Sequence, residues 1–141
     1  MEKDLLPLVQ RKLQEHKDIC KKHGLYFQVT STYRSIEAQN ALYAQGRTKP
    51  GAIVTKAKGG QSFHNWRCCY DVWPVVNGKM LSFSDPNAES LLSAIGHYGK
   101  QIGLEWGGDW KEFKDNPHFQ LTLGYTFNDF INKKVDYKKY E

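Results

Sequence analysis

The sequence predicts an α+β fold: one small domain in which a short antiparallel sheet packs with about three helices. Three observations predict it. Helix-period and strand-like stretches alternate along 141 residues, with no repeat and no linker between them. The strand-like runs are short and bounded by turn signals. Hydrophobic residues make up 40% and aromatics 13%, enough for one real core. Residues 1–141 are therefore read as a single domain, with no length left for a second one.

Residues 3–23 place Leu5, Leu6, Leu8, Val9, Leu13, Ile19 and Cys20 at mostly helical spacing among Lys and Glu, and Gly24 is a plausible stop. LYFQVTSTY (25–33) is β-branched and aromatic and reads as a strand. Ser35 is an N-cap candidate for a helix running to about Gln45. Residues 46–61, rich in Gly, Lys and Thr, read as a long surface loop, which in a compact domain is usually functional or mobile. CCYDVWPVV (68–76) is strand-like, and Asn77-Gly78 is a hairpin signal before KMLSF. Asp85-Pro86-Asn87 opens a helix over 88–102. LEW (104–106) and HFQLTL (118–123) read as short strands around a loop, and 124–141 as a tail with a final short helix.

The net charge of +5 is uneven. Residues 38–70 hold Arg47, Lys49, Lys56, Lys58 and Arg67 and no acid, which alone matches the excess. Such a stretch suits an anionic partner, whether nucleic acid, an acidic polymer or a membrane surface, or is simply a solvated basic loop. Cys20, Cys68 and Cys69 are odd in number and lack a CxxC spacing, so reduced thiols are expected. No run approaches a membrane span, and the N-terminus, MEKDLLPLVQRKLQ, has no continuous apolar core, so no signal peptide is visible.

Of five histidines, His16 and His23 read as surface residues of the first helix and His97 as a packed or half-exposed residue of the third. His64 and His118 differ, because each has a carboxylate nearby: Asp71 seven residues after His64, Asp115 three before His118. Asp71 is an acid inside an apolar strand, and unpaired it would cost several kcal/mol. It therefore needs a cation, a hydrogen-bond network or a metal. Two histidines and a carboxylate make a common catalytic zinc set with a fourth position for water, and a further carboxylate, here Asp115, can serve as general base. Pro117 disfavours helix at Asn116, so Asp115 and His118 are joined by an extended turn. Residue types alone leave two readings open: a zinc site, or a buried Asp71 satisfied by His64 or backbone donors, with His118 merely a strand-end residue.

Four segments carry a resemblance. SFHNWRCCYD (62–71) and DNPHF (115–119), with STYRSIEAQNALYAQGR (31–47) and WGGDWKEFKD (106–115), resemble in the expected order the zinc peptidases that cut peptidoglycan stem peptides. That superfamily comprises D-alanyl-D-alanine carboxypeptidases and dipeptidases and the phage L-alanyl-D-glutamate endopeptidases. Its first motif is SxHxxGxAxD, and the endopeptidase branch ends in DxPH. The resemblance implies the fold of the D-alanyl-D-alanine carboxypeptidase and Hedgehog type, with Zn2+ at the sheet. It implies His64, Asp71 and His118 as zinc ligands and Asp115 as catalytic base, with Asp109 the weaker candidate. Arg34 would polarise the scissile carbonyl or hold a substrate carboxylate, and Ser62 would contact substrate or support a ligand. Arg67 stands where the motif has Gly, and Cys69 where it has Ala. In a continuous strand Arg67, Cys69 and Asp71 would share a face, so both changes would approach the metal, Cys69 as a soft competitor or a small buried hydrophobe.

The resemblance implies a zinc endopeptidase cutting the L-alanyl-D-glutamate bond, as a phage endolysin in host cell lysis. The alternatives are a D-alanyl-D-alanine carboxypeptidase or dipeptidase, and a non-catalytic envelope-binding module. Peptidoglycan is the expected partner, with the basic 38–70 segment aiding contact with an anionic envelope and nucleic acid demoted. The chain is expected to act as a monomer, to have no separate wall-binding domain, and to accumulate in the cytoplasm of the producing cell before release.

Overall fold

Pro7 stands at the first turn of helix α1 (Pro7–Lys22), where its missing N–H costs nothing, in a computed structural model that describes residues 1–141 apart from the Tyr140 side chain. Strand β1 (Tyr26–Ser31) and helix α2 (Ile36–Ala44) follow, the latter capped by Ser35 Oγ, which accepts from the Ala38 N–H at 3.0 Å. Strands β2 (Cys69–Val76) and β3 (Lys79–Met80) form a hairpin turned by Asn77 and Gly78, both at positive φ. Helix α3 (Ala88–Gln101), strands β4 (Glu105–Trp106) and β5 (His118–Gln120) and helix α4 (Phe127–Ile131) complete the chain, with 3₁₀ turns at Glu2–Asp4, Phe63–Trp66, Gly107–Asp109 and Tyr137–Tyr140. No helix is long and apolar enough to cross a membrane among the described residues.

The sheet is antiparallel throughout, in the order β1-β2-β5-β4, with β3 on the end of β2. Tyr70 pairs with Phe119 and Asp71 with His118. Period-two alternation then sorts the faces. Tyr70, Val72 and Phe119 enter the core with Val9, Leu13 and Cys20 of α1 and Leu92 and Ile95 of α3. Asp71, Cys69, His118 and Gln120 belong to the opposite face. Gly99 lets α3 approach β5 closely, since a Cβ there would lie 2.7 Å from the Phe119 ring.

Several expectations need correction. The strand expected over 118–123 ends at Gln120, and Leu123 adopts φ +61, which breaks the extended run. His16 is not a surface residue: it is fully buried, its ring 4.9 Å from Phe27 and 4.6 Å from Phe119. Its position matches Val9, Leu13 and Cys20 at helical spacing, so the apolar stripe of α1 includes a histidine. Arg67 is not in the strand. It caps the 3₁₀ turn at φ 65, and its guanidinium donates to the Asp4 carbonyl at 2.9 Å and lies 3.9 Å from the Tyr33 ring centroid. It therefore does not share a face with Asp71.

Candidate functional site

Three separate pieces of backbone meet above β2. The β1–β2 ladder has an irregularity between Val29 and Ser31, after which Ser31 pairs with Asp71. That shift carries the Thr32 carbonyl to His64, whose Nδ1–H donates to it at 2.6 Å. Segments 32–35 and 62–65 are further clamped by the Arg34 N–H on the His64 carbonyl (2.9 Å) and Asn65 Nδ2 on the Arg34 carbonyl (2.9 Å). Ser62 Oγ accepts from the His64 N–H at 3.2 Å and caps the turn that bears the histidine. The third piece is the turn from Asp115 to His118, closed by the His118 N–H on the Asp115 carbonyl at 3.1 Å.

This brings His64, Asp71, His118 and Asp115 together. Asp71 Oδ2 lies 3.3 Å from His64 Nε2, and its Oδ1 3.0 Å from His118 Nδ1. Asp115 Oδ2 is 3.9 Å from the same His118 nitrogen. The outer nitrogen of each ring is committed as a donor, His64 to the Thr32 carbonyl and His118 Nε2 to Gln120 Oε1 at 2.9 Å. Gln120 in turn donates to Glu105 Oε2 at 2.7 Å, which fixes which end of its amide accepts. In the neutral rings the inner nitrogens are therefore lone pairs aimed at a carboxylate. Lone pairs against anionic oxygens repel, so the cluster calls for a positive charge at its centre, a proton or a metal cation. Two imidazoles and a carboxylate suit a divalent zinc-type ion.

Electrostatics agree. Although burial opposes it, His118 and His64, which donate to Asp71 when their rings are protonated, hold its carboxyl well below the usual range. Burial works against a charged His118, yet Asp71 raises its pKa. Burial, then the Asp71 charge, pushes the Asp115 carboxyl up.

Asp115 is held by Gly107, whose carbonyl accepts its N–H at 3.0 Å; a Cβ on Gly107 would stand 2.3 Å from the Asp115 carbonyl oxygen. Arg34 lines the same cavity of about 540 Å3 as Ser62, His64, Asp71, Asp115 and His118. Its Nη1 donates to Oε1 of fully buried Gln39 at 2.9 Å, and Gln39 also donates to the Ala57 carbonyl, tying arginine and loop together. Asp109 instead pairs with Lys100 at 2.9 Å, outside the cluster.

Cys69 is fully buried, and its donor atom with those of His64 and His118 lies within a 4.8 Å group, as do those of Asp71, Asp115 and His118. Burial and then Asp71 push its thiol well up, which disfavours the thiolate. Sequence reasoning missed Gln120, Thr32 and Gln39. The first was legible in principle, because in HFQ residues 118 and 120 share a strand face; Thr32 acts through its backbone, which leaves no signature.

Residues 55–121 match the family profile described as D-alanyl-D-alanine carboxypeptidase. The chain is 36% identical over 128 residues to the peptidoglycan L-alanyl-D-glutamate endopeptidase CwlK of Bacillus subtilis, covering 84% of this chain and 74% of that protein. Among solved structures it resembles the L-Ala D-Glu endopeptidase ChiX of Serratia marcescens, with a TM-score of 0.63 and 22% identity, over 92% of this chain and 86% of that one. It also resembles the vancomycin-resistance D,D-pentapeptidase VanY in complex with Zn(II), with a TM-score of 0.59 and 15% identity, over 94% and 80% of the two chains. At those identities the structural likenesses establish the fold.

Proposed function

The chain belongs to the D-alanyl-D-alanine carboxypeptidase family of peptidoglycan metallopeptidases, and from that premise we propose that it is an endopeptidase hydrolysing the L-alanyl-D-glutamate bond of stem peptides. The observation that carries the reading is the pair of histidine lone pairs converging on Asp71, with Asp115 beside them lining the same cavity. His64, Asp71 and His118 would hold the metal, which we propose is zinc. Bound there, it supplies Lewis acidity toward water and the scissile carbonyl.

The chain's own residues do the rest. Asp115, half-exposed and with a raised pKa, takes the proton of the attacking water and returns it to the leaving amine. Arg34, held by Gln39, donates to the carbonyl oxygen as charge develops there. Ser62 fixes His64 through its backbone N–H. Gln120 and Glu105 fix the His118 ring. Host lysis as an endolysin, acting on the wall after release from the cytoplasm, is the biological setting we propose.

Digestion of purified peptidoglycan followed by mass spectrometry of the new termini tests this reading. New amino-terminal D-glutamate is expected. Release of free D-alanine without it would assign the chain to the carboxypeptidase alternative.

A further inference from the structure

The cavity over the metal-ligand cluster does not end at Asp115. It continues into a second cavity of about 600 Å3, and Val54, Thr55, Ala57, Trp110 and Asp115 line both. The outer part of that second cavity is bounded by Ile53, Lys56, Phe113 and Lys114. Lys56 Nζ sits 3.6 Å from the centroid of the Phe113 ring. Phe113 is peculiar in two respects. Its φ is +53, a left-handed conformation that strains a bulky residue. Its side chain is nevertheless 64% exposed, so burial does not offset that strain. Ile53 and Val54 are also more than half exposed. Strain combined with an exposed apolar surface, two residues from the candidate base, points to a ligand-facing role.

Charge indicates the ligand. Neither Lys56 nor Lys114 lies within ion-pairing distance of a carboxylate among the described residues. An ammonium seated on a ring face is held in place while its remaining protons stay free to donate. Geometry indicates the side of the substrate. Asp115 lies at the junction of the two cavities, and as the group that returns a proton to the leaving amine it faces the leaving half. The leaving half of an L-alanyl-D-glutamate bond begins with glutamate. That residue has two carboxyl groups, one continuing the peptide and the other free.

Resting on the endopeptidase reading, we propose that Lys56, positioned by Phe113, binds the free carboxylate of the D-glutamate on the leaving side of the scissile bond. Lys56 is thereby a specificity-determining residue that separates acidic from amidated stem peptides.

The test uses two synthetic stem peptides with the full-length protein, one with free glutamate and one with its carboxamide. Wild-type protein should cleave the acid with kcat/KM on the order of tenfold higher, the worth of one charge-assisted hydrogen bond, and chiefly through KM. Lys56→Ala should lose that preference by slowing on the acid peptide alone, and Lys56→Gln should behave likewise, whereas Lys56→Arg should keep most of it. Equal rates on both peptides with wild-type protein, or an equal loss on both in Lys56→Ala, would overturn this proposal while leaving the endopeptidase reading intact. Cleavage of neither peptide by wild-type protein would overturn both.

Discussion

Histidine 16 should make the fold acid-sensitive in a way that can be measured separately from the active site. Its Nε2–H donates to the Ile95 carbonyl at 2.9 Å, so Nδ1 is the acceptor, and it receives the Tyr70 hydroxyl at 2.8 Å. With Phe27 and Phe119 against the fully buried ring, a charged imidazole would be poorly solvated. Burial accordingly lowers its pKa from 6.5 to about 4. The folded pKa lies below the unfolded one, so as pH falls the unfolded chain takes the proton first. Stability is fully present above about pH 6.5, declines toward pH 4, and levels off below. A 2.5-unit gap corresponds to about 3 kcal/mol, of which about 2.5 kcal/mol should be lost by pH 4.5. Urea unfolding at pH 7 and pH 4.5 measures it, in wild type and in His16→Gln, which keeps one donor and one acceptor but has no proton to titrate. Other titrating groups cancel in the difference between the two proteins. Wild type and variant losing stability in parallel, within about 0.5 kcal/mol, would refute the reasoning.

Asp115→Asn should retain stoichiometric zinc but lose about 10²–10⁴-fold in peptidoglycan hydrolysis, whereas His118→Ala should lose the metal itself; metal analysis beside a lysis assay separates the two. Gln120→Leu, which frees the outer nitrogen of His118, should weaken zinc binding about 10–100-fold by competition with a chelator while the fold survives. Gly107→Ala should impair catalysis without removing metal, since the added Cβ drives into the Asp115 carbonyl; a normal rate would mean the turn tolerates displacement. If the proposed ligand set of His64, Asp71 and His118 holds, cobalt-substituted protein should show no sulfur-to-metal charge-transfer band; a band that vanishes in Cys69→Ala would assign Cys69 as a ligand instead.

Most of the fold was legible because local signals and tertiary structure agree. The Ser35 cap, the Asn77-Gly78 turn and the 3.6-residue stripe of α3 each report on their own neighbourhood. His64, Asp71, His118 and Asp115 were legible because acids and histidines beside apolar strands demand an explanation. What escaped depends on contacts far apart in sequence. His16 reads as polar until Tyr70 and Ile95, 54 and 79 residues away, supply its partners. Arg67 was placed on the strand face because nothing local announces a left-handed backbone at an arginine. The contact that fixes it, the Asp4 carbonyl, is 63 residues distant.

The placement of Arg67 limits what the basic segment 38–70 can do. Arg67 is turned to the Asp4 carbonyl and the Tyr33 ring, and Arg47 to the Tyr43 carbonyl and ring, 3.9 Å from its centroid. Lys58 lies 5.5 Å from the same Tyr43 ring. Lys56 alone among the five bases of the segment lines the second cavity, and none lines the cavity over the metal-ligand cluster. A uniform basic surface would attract any polyanion and would weaken evenly as salt rises. One lysine aimed into a trough instead discriminates between carboxylates according to position. The envelope attraction proposed for the basic segment would thus be separable from recognition of the peptide: Lys49→Ala and Lys58→Ala together should reduce wall binding at low salt. They should leave the acid-to-amide preference of the soluble peptides unchanged. A shift in that preference would mean the segment acts through its overall field rather than through Lys56.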